Sequence, residues 1–228
     1  MQSSCRETAD GERAMTQAGP ETGRTDGASA STLANGYYKL PPGRLANACT
    51  YLEMMRPPAG TCRPVPPGLR LERLMGADAA RYAGLYRAVG ETWLWAAHLK
   101  KSPAEIARLL DHAAVETHVA AGPQGDIGLL QLEWDREDSA EVTYFGIRAD
   151  AIGKGIGRWL MDEAIARAFA RPIRRLWLHT CNFDHPKALG FYQAAGFKIY
   201  ATGFEIMDDP RAAGLLPRTA APHVPMVP

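Results

Sequence analysis

Residues 140–157, AEVTYFGIRADAIGKGIG, followed at 158–170 by RWLMDEAIARAFA, decide how this chain folds. Val142, Tyr144, Phe145 and Ile147 are β-branched or aromatic residues in a short run closed by Arg148, Ala149 and Asp150, which predicts a strand. Beyond it Ile156, Leu160, Ala164 and Ala168 recur every four residues beside Met161, Ile165 and Phe169, while Arg158, Asp162, Glu163 and Arg167 take the other side. That period predicts a helix, ended by Pro172. Between strand and helix, Gly153, Gly155 and Gly157 alternate with Lys154 and Ile156, so few side chains keep a ligand from the backbone amides. A helix start offers unpaired N–H groups and a positive dipole end to an anion such as a pyrophosphate. The GxGxG spacing is not that of a Walker A loop, because Lys154 precedes the last two glycines and no hydroxyl follows. Nor is it a dinucleotide fingerprint, since the spacing differs and the next strand, IRRLWLHTC, carries no acid. On its own the loop reads as a phosphate site or as a tight helix entry.

Thirty residues on, HPKALGFYQAAGFKIY predicts a second helix, with Pro186 in its first turn, Ala188, Leu189, Tyr192 and Ala195 on one face, and Gly196 ending it before a new strand. Together the two segments resemble the GNAT superfamily of acyl-CoA N-acyltransferases. That family's (Q/R)xxGx(G/A) motif is matched at Gly155 and Gly157, and its AxxFYxxxGF segment at Ala188, Phe191, Tyr192, Gly196 and Phe197. The likeness runs from Leu69 to Ile206. Ile152 stands where Gln or Arg is usual, so phosphate binding leans on backbone amides with Lys154 or Arg158, and His185 stands where Asn is frequent, which leaves Asp184 or His185 to begin the helix. The resemblance implies an α+β fold with a mixed, mostly antiparallel sheet flanked by helices. It implies acetyl-CoA as acyl donor, held at Gly153, Lys154, Gly155, Ile156, Gly157 and Arg158, with the Phe145 and Ile147 backbone on the pantetheine arm. It also implies direct attack by an amine, without an acyl-enzyme, and Tyr192 as the acid that protonates the departing thiolate. A non-catalytic acyl-CoA-binding domain, serving as sensor or scaffold, is the alternative.

The chemistry sets further demands. An amine with a lysine-like pKa near 10.4 spends about 4.6 kcal/mol to reach its free base at neutral pH, so a base is needed. Glu141, at the start of the strand that leads to the glycine loop, is the first candidate; its spacing from the loop resembles that of the catalytic glutamate in the family's histone-acetylating branch. Strand alternation places Glu141, Thr143, Phe145 and Ile147 on one face. An exposed strand-end charge is the competing reading, and Glu133 and His179 are further candidates. In a GNAT fold the two early helices and the turn between them wall the acceptor pocket, so Glu91, Trp93 and Trp95 are candidates to hold a cationic or aromatic amine, against a plain packing role for the tryptophans.

The remainder of the chain bounds the answer. A formal net charge of +1 across 228 residues leaves no basic footprint for nucleic acid. No apolar run reaches membrane-spanning length and the N-terminus lacks a signal-peptide core, which predicts a cytoplasmic protein without a membrane partner. Cys5, Cys49, Cys62 and Cys181 show no metal spacing, so no metal is expected. Residues 1–46 hold hardly any large apolar side chains and predict a disordered extension. Residues 47–68 predict an added edge strand, TYLEMM, or a homodimer contact, followed by the proline-rich connector RPPAGTCRPVPPG. The GNAT domain is expected at 69–206, from the strand LRLERL onward. It takes in a helix from Asp78 to Val89, a helix opened by the Ser102–Pro103–Ala104–Glu105 capping box, and a three-strand meander from Val115 to Ile147. Residues 207–228, rich in Pro and Ala, predict a loose tail.

Overall fold

The computed structural model describes residues 34–60, 63–135 and 138–227. The extension expected over 1–46 lies, up to residue 33, outside the described residues. Its last positions open the strand β1 (Arg44–Met54). The chain continues through β2 (Arg70–Leu74), α1 (Ala79–Gly90), α2 (Pro103–Leu110), β3 (Val115–Gly122), β4 (Gly125–Trp134) and β5 (Ser139–Ile147). It ends with α3 (Ile156–Phe169), β6 (Arg175–Cys181), α4 (Ala188–Ala194) and β7 (Lys198–Asp208). The seven strands form one sheet in the order β2-β3-β4-β5-β6-β1-β7. Every pairing is antiparallel except β5 with β6. This is the mixed, mostly antiparallel α+β architecture that the resemblance implies.

Local chemistry sets the helix starts. Ser102 accepts from the Glu105 amide at 3.3 Å while its own amide donates to Glu105 Oε2 at 2.7 Å, so the capping box satisfies two orphan donors as α2 begins at Pro103. The apolar stripe of α3 lies on the sheet, where Leu160, Ala164 and Ile165 pack with Leu130, Leu132, Leu176 and Leu178. On the other face α1 and α2 cover Leu129 and Val119 with Tyr82, Tyr86, Ile106 and Leu110. Each such leucine, fully buried, contributes on the order of 1.5–3 kcal/mol.

Three sequence expectations are corrected. The strand expected at an edge is interior: β1 pairs with β6 on one side and β7 on the other, and Leu52 is fully buried opposite Leu178. Its neighbours arrive more than a hundred residues later in the chain, and no local pattern announces them. The tail also packs. Leu216, Ala220, Ala221 and Val224 bury against Leu45, Leu94 and Phe183. Arg211 clamps them, bonding Asp209 at 2.8 Å and the carbonyls of Ala220 and Val224 at 3.1 and 2.9 Å. Burial pushes the Asp209 carboxyl up, but the Arg211 bonds outweigh it and hold the group below its usual range. Finally Asp162, expected on the solvent side of α3, is buried and takes Arg63 Nη1 on both oxygens at 2.7 and 2.6 Å, tying the proline-rich connector to the helix.

Candidate functional site

Strands β5 and β6 stay together for three positions only, Ser139 with Arg175, Ala140 with Leu176 and Glu141 with Trp177. Beyond Glu141, β5 pairs only with β4 among the described residues, while β6 stays paired with β1 from Leu176 to Cys181. The strands part, and backbone N–H and C=O groups of β5 between Val142 and Ile147 face the gap without a ladder partner. The β4–β5 register also slips: Gln131 faces Tyr144 but Leu132 faces Val142, so Thr143 is an extra, bulged residue. The bulge corrects the expected alternation. Val142, Phe145 and Ile147 face α3, whereas Tyr144 faces α1, and Glu141 shares Tyr144's side instead of Phe145's.

On the α1 side of the gap, acids and rings converge. Glu141, 8% exposed, stands opposite Glu133 and holds Oε1 3.5 Å from His179 Nδ1. Burial works to lower the His179 pKa, but the Glu141 contact and the charges of Glu141, Asp184 and Glu205 outweigh it, leaving the imidazole above its ordinary value. Burial and Glu141 raise the Glu133 carboxyl. Tyr51 of β1 lies opposite His179, their rings 5.8 Å apart, and Tyr200 lies beyond it at 6.1 Å. Burial, opposed by a hydrogen bond with Tyr86 and aided by the charges of Glu141, Glu133 and Glu205, pushes the Tyr144 phenol up to about 12. Arg175, two positions before Trp177 on β6, is engaged by Glu53 at 2.8 Å and stacked on Tyr200 at 4.4 Å.

On the α3 side sit the donor candidates. Gly153 and Gly155 take φ of +87° and +79°, and a Cβ at either would meet nothing within 4 Å, so the loop presents bare backbone. The first helical amides to find a carbonyl are those of Arg158 and Trp159, both on Gly155. Lys154 and Arg158 are exposed beside the loop, as is Ile152. Ile156 differs: its side chain is buried in the core, so only its backbone is available to a ligand. Gly157 lies against Ile147 and Phe191, each 3.7 Å from where its Cβ would be, and Phe145 stacks on Phe191 at 5.7 Å. Tyr192 packs its ring among Phe145, Phe191 and Phe197. Burial, with smaller contributions from Asp184 and Cys181, pushes its phenol well up, so Tyr192 keeps its proton at neutral pH. Cys181, pushed up to about 12 by burial and Asp184, stays a thiol and is no nucleophile there.

The three acceptor candidates separate. Trp95 belongs to the core under α1, touching Tyr86 and Tyr144 at ring distances of 5.6 and 5.1 Å. Glu91 is partly exposed and pairs with Arg87 one helical turn earlier, at 3.7 Å. Trp93 meets His185 before α4 and His223 of the tail, at 5.6 and 5.5 Å. Tyr51, Tyr200 and Glu205 had no sequence signal as site residues, because they come beside β6 only through the β6-β1-β7 order. Among the described residues no three His, Cys, Asp or Glu side chains gather as metal ligands, and no helix is long and apolar enough to cross a membrane.

Comparison with known proteins bears on the family and the fold. Residues 85–197 match the model of the acetyltransferase (GNAT) family. No curated protein matches the sequence. Among solved structures, one described as a GNAT-family acetyltransferase from Novosphingobium aromaticivorans superposes with a TM-score of 0.51 at 16% identity, covering 73% of this chain and 67% of that one. A Drosophila protein gives 0.53 at 12% identity, covering 73% of this chain and 52% of that one. An aminoglycoside acetyltransferase from an uncultured soil metagenomic sample gives 0.50 at 17% identity, covering 58% of this chain and 90% of that one. The chain thus spans between half and two thirds of the first two, and at these identities the likeness is one of fold.

Proposed function

Since the chain belongs to the acetyltransferase (GNAT) family through residues 85–197, we propose that it is an N-acetyltransferase that moves an acetyl group from acetyl-CoA to a primary amine of a small molecule or exposed peptide. The observation that carries the reading is the parting of β5 from β6 beside a glycine loop open at Gly153 and Gly155. The loop suits a pyrophosphate: bare amides at a helix start, Lys154 and Arg158 in reach, and no side chain where phosphate oxygens would lie. Gly153 through Arg158 would hold the diphosphate, and the β5 backbone beside Phe145 and Ile147 the pantetheine. Bound acetyl-CoA supplies a thioester carbonyl as the electrophile.

The residues on the two faces of the gap divide the proton work. The amine approaches from the α1 side as an ammonium, drawn by Glu133, Glu141 and Glu205. With Nδ1 turned to the Glu141 carboxylate at 3.5 Å, His179 carries its proton there and keeps the Nε2 lone pair for the ammonium proton. Glu141 acts through His179, a positioning part different from the direct base expected of it. Unpaired β5 amides are placed to polarise a carbonyl in the gap. Tyr192 holds its proton at Oη on the other face, available to a departing thiolate. The test is thiol release from acetyl-CoA over a panel of primary amines, with Tyr192→Phe alongside. Loss of about 10²-fold or more in kcat with unchanged CoA affinity is expected. Acetyl-CoA binding without turnover on any amine would instead make the domain a sensor or scaffold, and absence of acetyl-CoA binding would end the proposal.

A further inference from the structure

Strand β7 closes the sheet with an edge that, among the described residues, nothing covers. It is eleven residues long, KIYATGFEIMD, and exposed along almost all of its length. Ile199, Phe204 and Ile206 are 47%, 53% and 42% exposed, next to exposed Ala46 and Ala48 of β1. Edges of this kind are ordinarily blunted by proline, by inward charges or by brevity, because unpaired N–H and C=O rows recruit other strands. β7 has no proline, Lys198 and Asp208 stand at its two ends, and Glu205 is the one charge between them.

We propose that β7 pairs antiparallel with β7 of a second copy of this chain, joining two sheets across a twofold axis at Gly203. The strand is complementary to itself in that arrangement. Thr202 meets the partner's Phe204, and Ala201 the partner's Glu205. The bulge of Tyr200 against Tyr51 then brings Ile199 opposite the partner's Ile206, so the apolar side chains of both copies fall on one face. Lys198 comes beside Met207 of the partner, within a diagonal step of the partner's Glu205 and next to the partner's Asp208. Asp208 already takes Arg44 on Oδ1, and among the described residues no bond is made to Oδ2. Within one chain the same lysine is about 23 Å from Glu205 and about 33 Å from Asp208 along an extended strand, so only a second copy can bring these charges together.

The test is sedimentation velocity of the full chain at micromolar concentration, combined with zero-length carbodiimide cross-linking and peptide mass spectrometry. A dimer is expected, with a Lys198 cross-link to Glu205 or Asp208. The Phe204→Lys, Ile206→Lys double variant should be monomeric with an unchanged circular dichroism spectrum. A wild-type monomer at all concentrations would overturn the proposal, whether the edge is left open or taken by another segment of the chain. So would a dimer that lacks those cross-links, or one that survives the double substitution. The cross-link is read on the wild-type protein, so a double variant that failed to fold would leave the decision intact.

Discussion

Gly146 lies on β5 beyond the point where the strand leaves β6, opposite Leu129 of β4, and its α-carbon faces α1. A Cβ built there would fall well inside contact distance of the Val89 Cγ1 methyl and 3.2 Å from Trp95 Cη2, whereas carbons rest near 3.5–4.0 Å. Val89 is 3% exposed and β-branched on a helix, so its methyl cannot turn aside without leaving the one favoured rotamer. Gly146→Ala should therefore overpack the α1–β5 seam and cost about 1–3 kcal/mol. Val89→Ala alone removes two methyl groups, about 1.6 kcal/mol of transfer energy before any cavity term. Combined, the two should be less damaging than their sum, by about 1 kcal/mol or more, because the second removes the atom that the first strikes. Urea titrations of the four proteins read this directly, and each kcal/mol should also move Tm by about 2–4 °C for a domain of this size. A Gly146→Ala protein as stable as wild type, or a double variant whose cost equals the sum within about 0.5 kcal/mol, would refute the argument and with it the view that β5 is wedged tightly against α1.

Two other outcomes follow from separate features. Gly155→Ala puts a side chain at φ +79° in open space, so its cost of about 1 kcal/mol is backbone strain without clash, and the thermal shift induced by acetyl-CoA should shrink more than stability does. Burial, with Arg167 adding to it and Glu116 opposing, lowers the His118 pKa to about 4 from an unfolded value near 6.5. A base held below its unfolded pKa contributes stability that is complete above pH 6.5 and lost as pH falls toward 4, here about 3 kcal/mol. His118→Gln should flatten that limb of the stability–pH curve, and an unchanged limb would count against the assignment.

What could be read from the sequence was what short stretches dictate by themselves. The β5–loop–α3 order followed from a β-branched run, three alternating glycines and a four-residue apolar period, and α2 followed from Ser102, Pro103 and Glu105. The features that escaped are those that one part of the chain imposes on another. Thr143 carries no mark of a bulge, yet the slip against Gln131 moves Glu141 to the face of Tyr144. Trp95 has the composition of a pocket wall, and only the bare α-carbons of Gly90 and Gly146 beside it reveal a core residue. The Pro- and Ala-rich tail predicted a loose segment, and nothing in it marks Arg211 as the clamp that holds Asp209 and the tail carbonyls. His179 was legible as a candidate base, but its neighbour Tyr51 was not, because Tyr51 gained its place from a strand mistaken for an edge.

That strand also governs the order in which the chain can mature. β1 is among the first segments described, yet its ladder waits for Cys181 on one side and for Lys198–Asp208 on the other, with Arg44 opposite Asp208. On the ribosome, Leu52 and Met54 emerge with nothing to pair with, while the β3–β4–β5 meander and its helices can already collapse on local contacts. Loop closure over such separations is slow, so folding should end with β1 sliding between β6 and a β7 that has only just left the exit tunnel. Chains truncated before Lys198 would then hold the glycine loop in a half-built sheet, a natural substrate for chaperones.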